Sequence, residues 1–123
     1  MNESTVQNRK TIDLEDLLHR IGGIRHIVDE LLELFVETTE PKLGQMEQAI
    51  GTENWDALDK LTHELKGASG NISAAAFLAT ILEMRDHLRT RKTELLGADM
   101  ARLRADFERV GTFVAELKSK KQP

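Results

Sequence analysis

The sequence predicts an all-α protein: an antiparallel up-down four-helix bundle with a short additional N-terminal helix. Three observations carry that prediction. Ala, Leu, Glu, Lys and Arg dominate, and of 123 residues only 4 % are aromatic and two are proline. Apolar residues recur at spacings of three and four along nearly the whole chain. No segment alternates with the period of two that a half-buried strand requires.

Residues 1–11 are polar and aperiodic and are expected to form a flexible segment. Periodicity starts after Asp13, a good N-cap, with Leu14, Leu17, Leu18 and Ile21 in a short helix that Gly22 and Gly23 break. A longer helix follows through Ile24, Ile27, Val28, Leu31, Leu32, Leu34, Phe35, Leu43, Met46 and Ile50, and Gly51 ends it. Pro41 falls inside this pattern, which keeps its phase, so a kink is expected rather than a stop and restart.

Thr52 is expected to cap the third helix, whose inward stripe is Trp55, Leu58, Leu61 and Leu65 and which runs to about Gly70. Asn71 and Ser73 read as turn and cap residues. The fourth helix then turns Ala74, Phe77, Ile81, Met84 and Leu88 inward. Gly97 is placed in or near the next break, and a last helix from about Ala98 buries Leu103, Phe107, Val110, Val114 and Leu117. One bundle domain over 12–118 is expected, with 119–123 as a flexible basic tail. Short connections between amphipathic helices make sequence neighbours antiparallel neighbours in space.

Composition removes several function classes. The chain has no Cys, which excludes disulfides and thiolate chemistry and fits a reducing compartment. No apolar run can span a bilayer, and the start MNESTVQNRK lacks the apolar core of a signal peptide. A cytoplasmic protein without membrane contact is expected. The net charge of −4, from 17 basic and 21 acidic residues, argues against nucleic acid as a partner. No pair of the four histidines has the i, i+4 spacing of a metal site, and His63-Glu64-Leu65 lacks the second histidine of H-E-x-x-H, so no metal is expected. His19, His26 and His87 read as ordinary surface or shoulder residues.

The stretch THELKGASGN, residues 62–71, stands apart, because two glycines interrupt a helical composition just beyond a histidine. A glycine costs a helix interior about 1 kcal/mol relative to alanine. With Leu58 at zero and about 100° per residue, Trp55, Leu61 and Leu65 lie within about 60° of it and His63 near 140°. Gly67 then falls near 180°, Gly70 near 120° and Lys66 near 80°, about the same axis. Helical side chains lean toward the N-terminus, so a side chain at Gly67 would cover the turn of His63. Gly70 also fits a helix-ending signal; Gly67 fits one poorly.

An exposed imidazole is partly neutral at cytoplasmic pH, and its ring nitrogen is then a nucleophile. Lys66 could offset the charge of an incoming phosphoryl group. The chain has no Gly-rich phosphate cradle, no carboxylate set for a metal and no second nucleophile. A phosphoryl donor, its Mg²⁺ and the remaining transition-state groups would come from a partner.

His63-Glu64-Leu65-Lys66-Gly67-Ala68-Ser69, followed by Ile72-Ser73-Ala74, resembles the signature of histidine-containing phosphotransfer (HPt) domains of bacterial two-component phosphorelays. That pattern is H-x-L-K-G-x-[SA] with an apolar, small, Ala triplet nine to eleven places after the histidine, and the resemblance covers roughly residues 13–115. It implies that His63 accepts a phosphoryl group on Nε2, that Lys66 helps to hold it and that Gly67 gives access. Members often carry a polar residue, commonly Gln, 22 places after the histidine to orient the ring; Arg85 stands there. A guanidinium only donates, so contact with phosphate is open to Arg85 while a role as orienting acceptor is not. Arg89, one turn later, matches a basic residue of some members. Ser73 replaces the commoner Gly.

The resemblance implies a carrier rather than a kinase or phosphatase, without a cofactor of its own. The partners implied are receiver domains of response regulators, with a hybrid histidine kinase as a further candidate, and the chain is expected to be a monomer. Leu78 and Leu82, off the main stripe of the fourth helix, are candidate docking residues together with Asp59 and Gly70; burial of the two leucines by the long second helix explains them equally well. Two other readings stay open: an HPt domain of a chemotaxis-type kinase, phosphorylated by an ATP-binding domain, and a helical adaptor without phosphotransfer.

Overall fold

The computed structural model describes residues 10–121. Residues 1–9 and 122–123, and with them much of the flexible segment and tail expected at the two ends, lie outside the described residues. The elements are α1 (Leu14–Arg20), α2 (Arg25–Gly51), α3 (Trp55–Asn71), α4 (Ala75–Arg89), a 3₁₀ turn (Thr93–Leu95) and α5 (Leu96–Lys121), with no strand among the described residues. The carboxylate of Asp13 caps α1 by accepting the Asp16 N–H. α2 is continuous through Pro41. Pro41 is exposed, and so is Glu37, whose carbonyl loses its helical partner to the ring.

Consecutive bundle helices pack side by side, and α5 closes the ring against α2. Cross-helix pairs give the direction. Thr80, Glu83 and His87 of α4 meet Asp106, Arg102 and Asp99 of α5, so partner numbers fall as their own rise. Glu40 and Glu47 pair with Arg104, and Glu33 with Lys118, in the same antiparallel sense. The shared interior is built from Leu17, Leu32, Leu43, Leu58, Leu65, Phe77, Ile81, Met84, Leu96 and Leu103, all fully buried. Phe77 meets Phe35 edge to face, with ring centroids 5.3 Å apart.

One device ends all four of the first helices. The N–H groups of Gly23, Asn54, Ala74 and Lys92 reach back to the carbonyls of Leu18, Ala49, Ser69 and His87. The preceding residue is left-handed each time: Gly22 (φ 74°), Glu53 (55°), Ser73 (57°) and Arg91 (62°). These are Schellman turns. Asn54 finishes one such turn and caps α3, accepting the Ala57 N–H at 3.1 Å, and Ala74 both closes α3 and precedes α4. Connections shared in this way are short, and they leave sequence neighbours antiparallel.

Several expected boundaries shift for the same reason. Thr52 does not cap α3; it is the C-cap of α2, and its hydroxyl donates to the Gln48 carbonyl at 2.9 Å. Ser73 is not a cap either: its hydroxyl donates to Asp16 at 2.7 Å, and with Arg20 holds that carboxyl below the usual carboxylate range. Gly97 lies inside α5, the break falling at Arg91 instead. Gly70 is interior to α3, which ends at Asn71. The last helix runs on to Lys121, beyond the point where the basic tail was expected.

The N-terminal strap is tied down from residue 10. The Lys10 carbonyl accepts the Ala76 N–H at 3.0 Å, and the Asp13 N–H donates to the Ser73 carbonyl at 2.9 Å. These bonds hold α1 over the α3–α4 turn. His87, expected as a surface or shoulder residue, is half-buried, with Nδ1 2.6 Å from the buried Asp99 carboxylate.

Two predictions follow from this packing. Thr39 is fully buried and among the described residues its hydroxyl has no hydrogen-bond partner, so Thr39→Val should raise the unfolding free energy by about 1 kcal/mol in denaturant titration. An unchanged or lower value would show that the hydroxyl is satisfied. Glu53→Gly, relieving a left-handed residue, should stabilise by about 0.5–1 kcal/mol in the same assay.

Candidate functional site

α3 is held by one edge. Leu58, Thr62, Leu65 and Ser69 are fully buried at spacings of four, three and four. The two hydroxyls are satisfied within the helix: Thr62 Oγ1 donates to the Leu58 carbonyl at 3.0 Å and Ser69 Oγ to that of Leu65 at 2.7 Å. Each residue turns the helix by about 100°, so burial of Thr62 carries the next side chain, His63, out to solvent. His63 is exposed, and among the described residues its ring has no hydrogen-bond or ion-pair partner. Both ring nitrogens are therefore open. Lys66, one turn on, is exposed and equally unpaired among the described residues.

Packing does not require glycine beyond the histidine. A Cβ placed on Gly67 or on Gly70 would meet nothing within 4 Å, and neither residue has a positive φ. The effect of Gly67 is on the outer surface alone: it leaves the turn of His63 uncovered.

The flanks of α3 are gripped from both neighbours. On one side Lys42 of α2 lies 3.4 Å from Glu64. On the other, Arg85 of α4 donates through Nη1 to the Asp59 carbonyl and to Thr62 Oγ1, each at 2.9 Å, and its Nη2 lies 3.6 Å from Asp59 Oδ1. Arg85 thus reaches α3 one turn before the exposed histidine and forms no bond to it. Arg89 pairs with Asp86 on its own helix. His63, Lys66, Gly67 and Gly70 share the outward side of α3, whereas the two arginines are engaged elsewhere.

Leu82 is exposed and Leu78 half-buried. The exposure of Leu82 means that burial by α2 does not account for it. The register set by Arg85 puts both leucines level with the turns of His63 and Gly67. Leu82 borders two shallow depressions, one along α4 with Ala75, Leu78 and Ala79, the other between α3 and α4 with Trp55, Asp59 and Arg85. Sequence reading missed Thr62, Lys42 and Glu64. The helix phase of Thr62, about 40° from Leu58, marks it as inward, but its hydroxyl disguised that.

Among the described residues no group of three or more His, Asp or Glu could hold a metal, and no helix is long and apolar enough to cross a membrane. A family model described as "Hpt domain" matches residues 30–113, more than half of the chain. Neither the curated proteins nor the solved structures compared with the chain contain a match.

Proposed function

The chain belongs to the Hpt domain family, whose members carry phosphoryl groups in two-component signalling, and from that premise we propose that it relays a phosphoryl group between receiver-domain aspartates through His63. The observation that carries this reading is an exposed imidazole, without a partner among the described residues, on the glycine-thinned side of α3. Family members interact with receiver domains and kinases, so the donor and the catalytic apparatus belong to the partner.

The step needs little from this chain. The lone pair of His63 Nε2 attacks the phosphorus of an aspartyl phosphate, the N–P bond forms, the acyl phosphate P–O bond breaks and the aspartate leaves as carboxylate. Nδ1 keeps its proton. Lys66 offsets the charge of the transferred group as a point charge, and Gly67 lets the partner approach the ring. Any Mg²⁺ sits in the receiver. Leu82, with Leu78, Asp59 and Gly70, forms the surface on which the receiver rests, and a monomer in the cytoplasm suffices for each step. Transfer then reverses onto a second receiver, with no hydrolysis or ATP use by this chain.

Incubation with a receiver phosphorylated by acetyl phosphate should add one acid-labile phosphoryl group by intact mass, and none to His63→Gln. Labelling that persists in that variant would sink the assignment. Labelling by a kinase ATP-binding domain but by no receiver would favour the chemotaxis-type reading, and receiver binding without labelling the adaptor.

The access role of Gly67 separates stability from transfer. Gly67→Ala should stabilise the free chain by about 0.5–1 kcal/mol. Gly67→Leu should stay folded yet accept phosphate at least about tenfold more slowly. A native rate in the leucine variant would remove that role.

A further inference from the structure

Transfer to a docked partner requires His63 on α3 and the partner-facing side of α4 to be held in one frame. We propose that Arg85 is the positioning residue that sets this frame, acting through Asp59 and Thr62 rather than touching the phosphoryl group. The inference rests on the phosphotransfer reading and names a further residue of that same site.

Arg85 lies on α4 one turn after the exposed Leu82, and its side chain is only 26 % exposed. Its Nη1 has two hydrogens, and the two bonds at 2.9 Å to the Asp59 carbonyl and Thr62 Oγ1 commit both. The Asp59 carbonyl is the group that the i to i−4 pattern of α3 assigns to the His63 N–H. Thr62 Oγ1 also points at it, at 3.1 Å. The guanidinium of α4 is therefore bound to the same carbonyl that the His63 N–H reaches, and to the side chain of the residue next to the nucleophile.

The chemistry of each partner makes this a rigid link. A guanidinium is a planar fork and fixes angle as well as distance, which an ammonium does not. Thr62 is fully buried, so its hydroxyl has no water to exchange for Arg85. Lys42 of α2, by contrast, meets α3 with a rotatable ammonium on a half-exposed Glu64, which fixes no angle. Apolar packing between α3 and α4 resists separation but tolerates sliding. A slide of about 1 Å between docking surface and nucleophile can cost up to about 100-fold in rate. It leaves Leu78 and Leu82, the apolar part of the docking surface on α4, undisturbed.

That distinction is measurable. Single-turnover transfer from a receiver phosphorylated by acetyl phosphate is followed against receiver concentration for the native chain, Arg85→Met, Thr62→Val and the double variant, each checked for native helicity by circular dichroism. Arg85→Met should lower the maximal rate about tenfold and leave the half-saturating concentration within about twofold of native. Thr62→Val should act in the same direction, and the double variant should be no slower than Arg85→Met, because both cut one link.

A raised half-saturating concentration at an unchanged maximal rate would make Arg85 a partner contact and overturn the proposal. So would additive losses, or native rates in folded variants. If Arg85→Met fails to fold, the near-isosteric Thr62→Val decides alone, a native maximal rate counting against the proposal. A native chain that takes no label defeats the phosphotransfer reading itself and this inference with it. A labelled native chain with unaffected variants defeats only this inference.

Discussion

Everything at the site depends on the rotational phase of α3, and that phase is set by burial of Leu58, Thr62, Leu65 and Ser69. Each fully buried leucine contributes about 2 kcal/mol. Turning the helix by one residue would move these side chains about 100° toward water and bring His63 toward the interior. The exposure of the imidazole is thus a consequence of what the opposite edge buries. Small hydroxyl residues in that edge allow close contact with the neighbouring helices, and their own helix carbonyls satisfy them.

The turns give this phase a stable frame. Schellman closures at the ends of α1 to α4 satisfy carbonyls that a helix end would otherwise leave open. Three of them place a residue with a Cβ in the left-handed region, which tertiary packing must offset. The turn between α3 and α4 is further clamped by the strap at Lys10 and Asp13 and by Ser73 on Asp16. α3 is therefore anchored at both ends while its outer side stays thin.

Charge pairing follows the same division. Arg104 joins α5 to Glu40 and Glu47 of α2, Lys118 reaches Glu33, and Arg102 bridges Glu83 and Asp99 beside His87. Exposed pairs of this kind add little stability singly, roughly 0–1 kcal/mol. Among the described residues, the side chains of His63 and Lys66 on the outer side of α3 are left without partners. On the proposed reading, an imidazole that attacks phosphorus and a cation that meets the incoming phosphoryl group are best left unengaged.

The helical elements, the inward stripes and the outward place of His63 were legible in the residues themselves, because a period of 3.6 turns linear spacing into direction without knowledge of neighbours. The H-x-L-K-G run likewise marked the family to which the chain belongs. Helix ends were less legible: glycine at 97 suggested a break, whereas the chain turns at Arg91, where the backbone accepts a side chain at some cost. Thr62 was hidden by its hydroxyl. The partners of Arg85 and His87 lie 23 to 26 and 12 residues away along the chain. Sequence alone determined which face of α3 is bare, since that is local geometry. Only the tertiary structure decided that Arg85 grips Asp59 and Thr62 rather than the imidazole, since a long side chain's choice among acceptors depends on how two helices slide and meet.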